Sequence, residues 1–304
     1  MPVINELSQE SPSRLNQWGQ VISTYIEVTK PKILVMLTFT SLCAAFVAQK
    51  GIPSLSVMVA MLISASLSAG GSAAINMWYD RDIDQIMERT SKRPIPQGLI
   101  APSSVFWFGI ILGITSVVIA LLFVNPLTSL LNVVGYFYYA VFYTMWLKRR
   151  TPLNIVIGGG AGAFPILIGW ASVTGSLNST AWLMFMVIFL WTPPHSWALA
   201  LYKNEEYTKA GIPMMPVVKG PKSTKRQSLI YMGLLFICSL ILYSSGVFNH
   251  FYLIGALIFN IGLLYCTWKM WKEDDAVFIW AKRTFVFSLF YILGMFSTMV
   301  IGIL

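Results

Sequence analysis

Asn76, Asp80 and Asp84 stand four residues apart at the end of a long run of apolar and small residues. On a helix of 3.6 residues per turn, each step of four drifts by only about 40°, so the three share a face while Asp82 points roughly the other way. One amide oxygen and two carboxylates a turn apart make a row of hard oxygen donors. Such a row suits Mg²⁺, which keeps several waters and binds through a few carboxylates plus substrate phosphates. Arg89, Lys92 and Arg93 follow in a turn-rich segment closed by Pro94 and Pro96, near enough to fold over a bound diphosphate. Metal and cations together would stabilise that diphosphate as a leaving group. A run of charges is more often a solvated face laced with ion pairs. Here, however, the row starts inside the apolar run, where polar side chains are costly and functional by default.

The elements that must position these residues are membrane helices. The 304-residue chain is 56% hydrophobic and 11% charged, against about 25% charged in an ordinary soluble domain. Crossing a bilayer takes about 20 mostly apolar helical residues. Runs of that kind lie at 33–49, 55–79, 105–124, 127–147, 153–173, 181–201, 228–248, 251–270 and 285–304. Alternating ten-residue segments of a membrane barrel are absent. The expected fold is therefore an all-α integral membrane protein of nine transmembrane helices, one domain over 1–304.

Charge placement gives the expected orientation. With the N-terminus in the cytoplasm, 20 of the 21 Lys and Arg and all 12 acids fall on the inner side, Lys50 being the exception. The segment 1–30 and the two long charged loops, 80–104 and 202–227, then face the cytoplasm, the loops capping the bundle. They follow the second and sixth spans, which hints at a four-helix repeat. The net charge of +9 is spread over several membrane-bordering loops with no nucleic-acid motif, so anionic lipid and a phosphorylated substrate explain it better than nucleic acid. An N-terminus with Glu6 and Glu10, no secretory apolar core and little Arg points to a bacterial inner membrane.

His195 lies in the sixth span just after Pro193 and Pro194, eight residues before Lys203 and hence about 12 Å below the cytoplasmic charges. It suits a metal ligand or a proton acceptor, or is a hydrogen-bonded core histidine beside a kink. Trp191, Trp197, Tyr202 and Tyr139 are candidates to line a substrate path, where their π faces would favour a cation, although such residues are more often membrane-interface or packing residues. Lys148, Arg149 and Arg150 close the fourth span, where they serve as positive-inside anchors or bind phosphate or carboxylate. Small residues at 64–74 and 158–163 allow close helix approach or leave room for a substrate. Cys43, Cys238 and Cys266 sit inside apolar runs without C-x-x-C spacing and are read as core residues.

The N-x-x-x-D-x-x-x-D row resembles the first motif of the intramembrane UbiA-type prenyltransferase superfamily. TKPK (29–32), DRDIDQIMERTSKRP (80–94), YTMWLKRRTPLNIVIGGGAGAFPILIGW (143–170), WTPPHSWALALY (191–202) and AGIPMMPVVKG (210–220) resemble its haem-farnesylating branch, the protohaem IX farnesyltransferases. The resemblance implies a nine-helix bundle around a lipid-open cavity, with Mg²⁺ held by Asn76, Asp80 and Asp84. It implies farnesyl diphosphate and haem B as substrates, and raises a downstream haem A synthase as a partner. Lys148 and Arg149 match a basic pair used near the diphosphate. On this reading Asp80, Asp84, Arg93, Lys148, Arg149 and His195 carry the reaction, His195 as a haem-iron ligand or as acceptor of the proton lost when the farnesylated cation is quenched. Asn76, Arg89, Lys92, Arg150, Tyr202 and Lys203 then bind substrate.

One departure stands out. Many superfamily members carry a second D-x-x-x-D after the sixth helix, where this chain has Lys203 and Tyr207, with Glu205 and Glu206 between. That puts a second metal in doubt and favours haem over a small phenol as acceptor. The competing readings are a quinone-pathway prenyltransferase and, from another class, a multi-helix transporter. A transporter fits poorly with an outer rim bare of charge but for Lys50.

Overall fold

The computed structural model describes residues 14–304, so 1–13 of the expected cytoplasmic segment lie outside the described residues. The helices are α1 (Arg14–Val28), α2 (Pro31–Gln49), α3 (Leu55–Tyr79), α4 (Arg81–Asp84), α5 (Pro102–Phe123) and α6 (Pro126–Phe137). A π-helical stretch, Tyr138–Leu147, continues α6 and is followed by α7 (Asn154–Gly158), α8 (Gly160–Thr174), α9 (Ser179–Tyr202) and α10 (Asn204–Lys209). The chain ends with α11 (Met215–Ser244), α12 (His250–Lys272) and α13 (Ile279–Ile301). Among the described residues nine helical spans are long and apolar enough to cross a membrane, and there is no strand. The protein is thus an all-α, multi-pass membrane protein.

Three spans begin three or more residues earlier than hydropathy suggests. The third starts at Pro102, a residue suited to the first helical turn because its missing N–H would be unpaired there anyway. The ninth starts at Ile279, its first turns including Lys282 and Arg283. The seventh starts at Met215, inside the expected loop 202–227, and kinks at Gly220, whose φ of 76° is open to glycine, just before Pro221. Charges between 219 and 226 hide this helix from a hydropathy reading. Lys225 is buried, its Nζ donating to the Glu273 and Asp274 carbonyls and to Asp275. Those carbonyls cap the end of α12, where a cation is favoured. Helix α1 was not anticipated either; its Tyr25 packs edge-on against Phe108 of α5.

Apart from Lys50 at the C-terminus of α2, the connections expected on the outer side close without charged side chains. Asn125, Asn178 and Asn249 cap α6, α9 and α12, their side-chain oxygens accepting from Thr128, Ala181 and Phe251 N–H groups. A neutral cap satisfies the orphan donors that a helix start leaves.

Both readings of the small residues hold, at different positions. A Cβ at Gly158 would lie 2.1 Å from the Tyr143 ring, so close packing requires glycine there. Gly162, on the same stretch, has open space around it and lines the main cavity. The three cysteines are buried and unpaired, as expected of core residues.

Candidate active site

Helices α2, α3, α6, α8, α9 and α13 surround a cavity of about 840 Å³, within the range of small-molecule sites. Its walls are mostly aliphatic and aromatic, with Lys30, Tyr139 and Tyr143 among its polar lining and His195 on the α9 side. Tyr139 and Tyr143 come from the π-helical stretch and stack at 5.6 Å. π-Helical insertions of this kind recur at functional sites because they re-aim side chains within a helix.

Beyond Lys30 lies the charged cluster. Asn76, Asp80 and Asp84 are all buried, at 3%, 0% and 2% exposure. The helical spacing survives the end of α3, because Asp80 caps it and the Asp84 N–H still donates to the Asp80 carbonyl at 2.9 Å. Asn76 Nδ2 donates to Asp80 Oδ2 at 2.8 Å and to Thr144 Oγ1 at 3.0 Å, joining α3 to the π-helical stretch. Lys148 Nζ donates to Asp80 at 2.5 Å and Arg93 Nη1 to Asp84 at 2.7 Å. Arg149 reaches Asp80 at 3.4 Å and grips Asp82 with two bonds of 2.7 and 2.8 Å. Asp82 stands in solvent while Asp80 and Asp84 are buried, so it faces away from the row, as its spacing implies. The fork from Arg149 holds the Asp82 carboxyl down at about 2, and the same bonds raise the Arg149 guanidinium above its usual range.

Lys30 is the residue that sequence reasoning undervalued. Its Nζ donates to Asn76 Oδ1 at 2.5 Å and to the Tyr139 hydroxyl at 3.5 Å, so it joins the acidic row to the cavity. Burial, then Arg93 and Lys148, push its ammonium well below the usual lysine range. Its backbone is left-handed, φ 58° and ψ 61°, at the entrance to α2. A non-glycine residue held there costs on the order of 1–3 kcal/mol and is found where function or packing demands it. TKPK marks a helix start at Pro31, but a residue before proline is ordinarily extended, so the sequence pointed away from this geometry. The left-handed geometry itself was not readable from composition.

Other expected residues are placed differently. Arg89, Lys92 and Arg150 are exposed, and among the described residues none of them forms an ion pair. Lys203 pairs with Glu206 at 2.6 Å and lies 3.8 Å from Glu88, and its bond to Glu206 raises its affinity for the proton. Trp197 is fully buried against Tyr231 and Tyr202 packs on Phe285, so neither lines the cavity. Packing was the commoner reading of both, and hydropathy alone could not choose, because it places an aromatic residue in a helix without fixing its direction. Trp191 and Tyr139 do line it.

The oxygens of Asn76, Asp80 and Asp84 suit a hard divalent ion. Among the described residues no three His, Cys, Asp or Glu side chains already form a metal cage. A cation stands on each of these three residues instead, and Glu206 Oε2 and Asn154 Oδ1 are buried without a partner. Two carboxylates and an amide suit Mg²⁺ that completes its shell with waters and ligand phosphates.

Residues 37–292 match the UbiA prenyltransferase family. A protein of Symbiobacterium thermophilum named protoheme IX farnesyltransferase is 45% identical over 94% of this chain and 96% of its own length. A Bartonella henselae protein of the same name is 44% identical over 99% and 97% respectively. The fold is shared with a digeranylgeranylglyceryl phosphate synthase, TM-score 0.78 at 20% identity over 93% of this chain and 98% of that one. It is also shared with a UbiA homologue of Archaeoglobus fulgidus bound to DMAPP and Mg²⁺, TM-score 0.64 at 18% identity over 91% and 99%.

Proposed function

Because this chain belongs to the UbiA prenyltransferase family, we propose that it transfers a farnesyl group from farnesyl diphosphate to a vinyl group of haem B, giving haem O and diphosphate. The observation that carries this reading is the buried row Asn76, Asp80 and Asp84, clamped by Lys30, Lys148 and Arg93 next to an 840 Å³ cavity that holds His195. The two relatives' names supply the acceptor and the isoprenoid. The reaction is read as facing the cytoplasm from the inner membrane of a bacterium, where the bases gather.

Asn76, Asp80 and Asp84 would hold Mg²⁺, which when bound neutralises diphosphate oxygens and makes diphosphate a better leaving group. Lys148, Arg93 and Arg149 supply fixed positive charge beside it, stabilising negative charge that grows as the farnesyl C1–O bond breaks, while Lys30 orients the Asn76 amide through its Nζ. The isoprenoid lies along the apolar walls, with Tyr139, Tyr143 and Trp191 turning π faces toward the allylic cation. A dry cavity keeps water from that cation. The terminal vinyl carbon of haem then bonds to farnesyl C1. Water adds to the cation left on the porphyrin side chain and releases a proton, giving a hydroxyethylfarnesyl group.

Purified protein in detergent, given haem B, farnesyl diphosphate and Mg²⁺, is expected to yield a porphyrin heavier by one farnesyl and one hydroxyl group by mass analysis. EDTA is expected to stop the reaction. Unmodified haem, with a phenolic acid farnesylated in its place in an acceptor panel, would overturn the assignment.

A further inference from the structure

His195 is held on three sides. Trp191 stacks on one face of its ring, centroids 4.2 Å apart and 17° from parallel, and Phe285 on the other at 4.7 Å and 23°. Its Nδ1 lies 2.6 Å from Ser288 Oγ. Ser288, buried at 1% exposure on α13, donates its hydroxyl proton to the Phe285 carbonyl at 2.6 Å. A hydroxyl has one proton to give. Toward His195 the Ser288 oxygen can therefore only accept, so the proton of the neutral imidazole sits on Nδ1. The Ser288 carbonyl also receives the Trp191 indole N–H at 2.9 Å, so one residue fixes both the ring and its stacking partner.

The consequence lies at the remaining edge. With both faces covered and Nδ1 bonded, the ring offers the cavity its Nε2 lone pair, for which no hydrogen-bond partner exists among the described residues. We propose that Ser288 is a positioning residue for the acceptor: by holding the proton on Nδ1, it presents His195 Nε2 as the ligand of an iron porphyrin. This inference rests on the haem reading above. A histidine that donates its other ring N–H to an oxygen is the usual arrangement at metals, where that bond orients the ring and raises its basicity. No carboxylate is bonded to the ring that would favour an imidazolium, whereas a neutral ligand on iron needs none.

The test uses the full chain in lipid nanodiscs, loaded with haem B. Resonance Raman of the ferrous complex is expected to show an iron–histidine stretch that vanishes in His195→Ala. In Ser288→Ala it is expected to move to lower frequency, with haem affinity weakened about 10- to 100-fold. Ser288→Thr, which keeps the accepting hydroxyl, is expected to restore the band. An unchanged band and affinity in Ser288→Ala would overturn the proposal. So would wild-type protein that farnesylates haem without any iron–histidine band, an outcome that leaves the farnesyl-transfer reading standing. Wild-type protein that neither binds nor modifies haem would take both down.

Discussion

Two connections on the charged side of the bundle, 80–101 after α3 and 203–214 after α9, occupy corresponding places in the chain and do different physical work. The first buries carboxylates. Asp80 and Asp84 are almost wholly out of solvent, each with a cation against it. The second buries an aromatic ring: Tyr207 packs with Ile212 and Met214 against Ile83 and Met87 of the first connection. Its charged residues, Lys203 and Glu206, pair with each other at the rim. The position that would carry a carboxylate in a second D-x-x-x-D is thus an apolar brace holding the first connection in place. A chain that needs only one ion-binding row can spend the corresponding residues on packing.

This contrast can be broken most directly at the acidic row. Asp80→Ala and Asp84→Ala, measured separately, are each expected to lower farnesyl transfer by about 100- to 1,000-fold, the scale for removing one group that stabilises developing charge. Near-normal turnover in either would refute the metal-binding role. Lys30→Ala leaves the buried Asn76 oxygen without its donor, a loss of about 1–3 kcal/mol, so kcat/KM is expected to fall roughly 10- to 100-fold. An unchanged value would show that Asn76 is oriented without it.

On the second connection the expected loss is in stability. Tyr207→Asp places a carboxylate among Ile83, Met87 and Met214 without a cation and is expected to lower Tm, since an unpaired buried charge is among the costliest single changes. A stable variant that binds a second Mg²⁺ by calorimetry would instead show that a metal comb can be rebuilt there. Gly162→Phe fills open cavity space without backbone strain. It is expected to raise KM for farnesyl diphosphate while Tm stays near wild type, and unchanged kinetics would move the substrate elsewhere.

The smallest effect is expected at Asp82, whose carboxyl is 61% exposed. Its folded-state value of about 2 lies below the ordinary 3.8. Its contribution to stability is therefore full above about pH 4 and fades as pH falls through 2. Asp82→Asn should remove that acid-side dependence and cost under about 1 kcal/mol at neutral pH, read by thermal melts across pH.

Asn76, Asp80 and Asp84 were legible in the sequence because helical periodicity is a local property: four-residue spacing puts side chains on one face whatever packs there. The nine spans were legible for a similar reason, since hydrocarbon thickness and backbone hydrogen bonding act on each segment separately. Helix α11 was misread at its start because the burial of Lys225 depends on carbonyls 48 and 49 residues away.

The amino-acid sequence by itself determined the fold class, the acidic row, and the gathering of charge at one rim. Only the tertiary structure decided which cations meet that row. It chose Lys30, Lys148, Arg149 and Arg93 from a larger set and left Arg89, Lys92 and Arg150 in solvent. It likewise sent Trp191 into the cavity and Trp197 into the core, and set Ser288 against His195 Nδ1. Those choices depend on the direction of long side chains and on contacts between helices far apart in the chain, which neither composition nor spacing encodes.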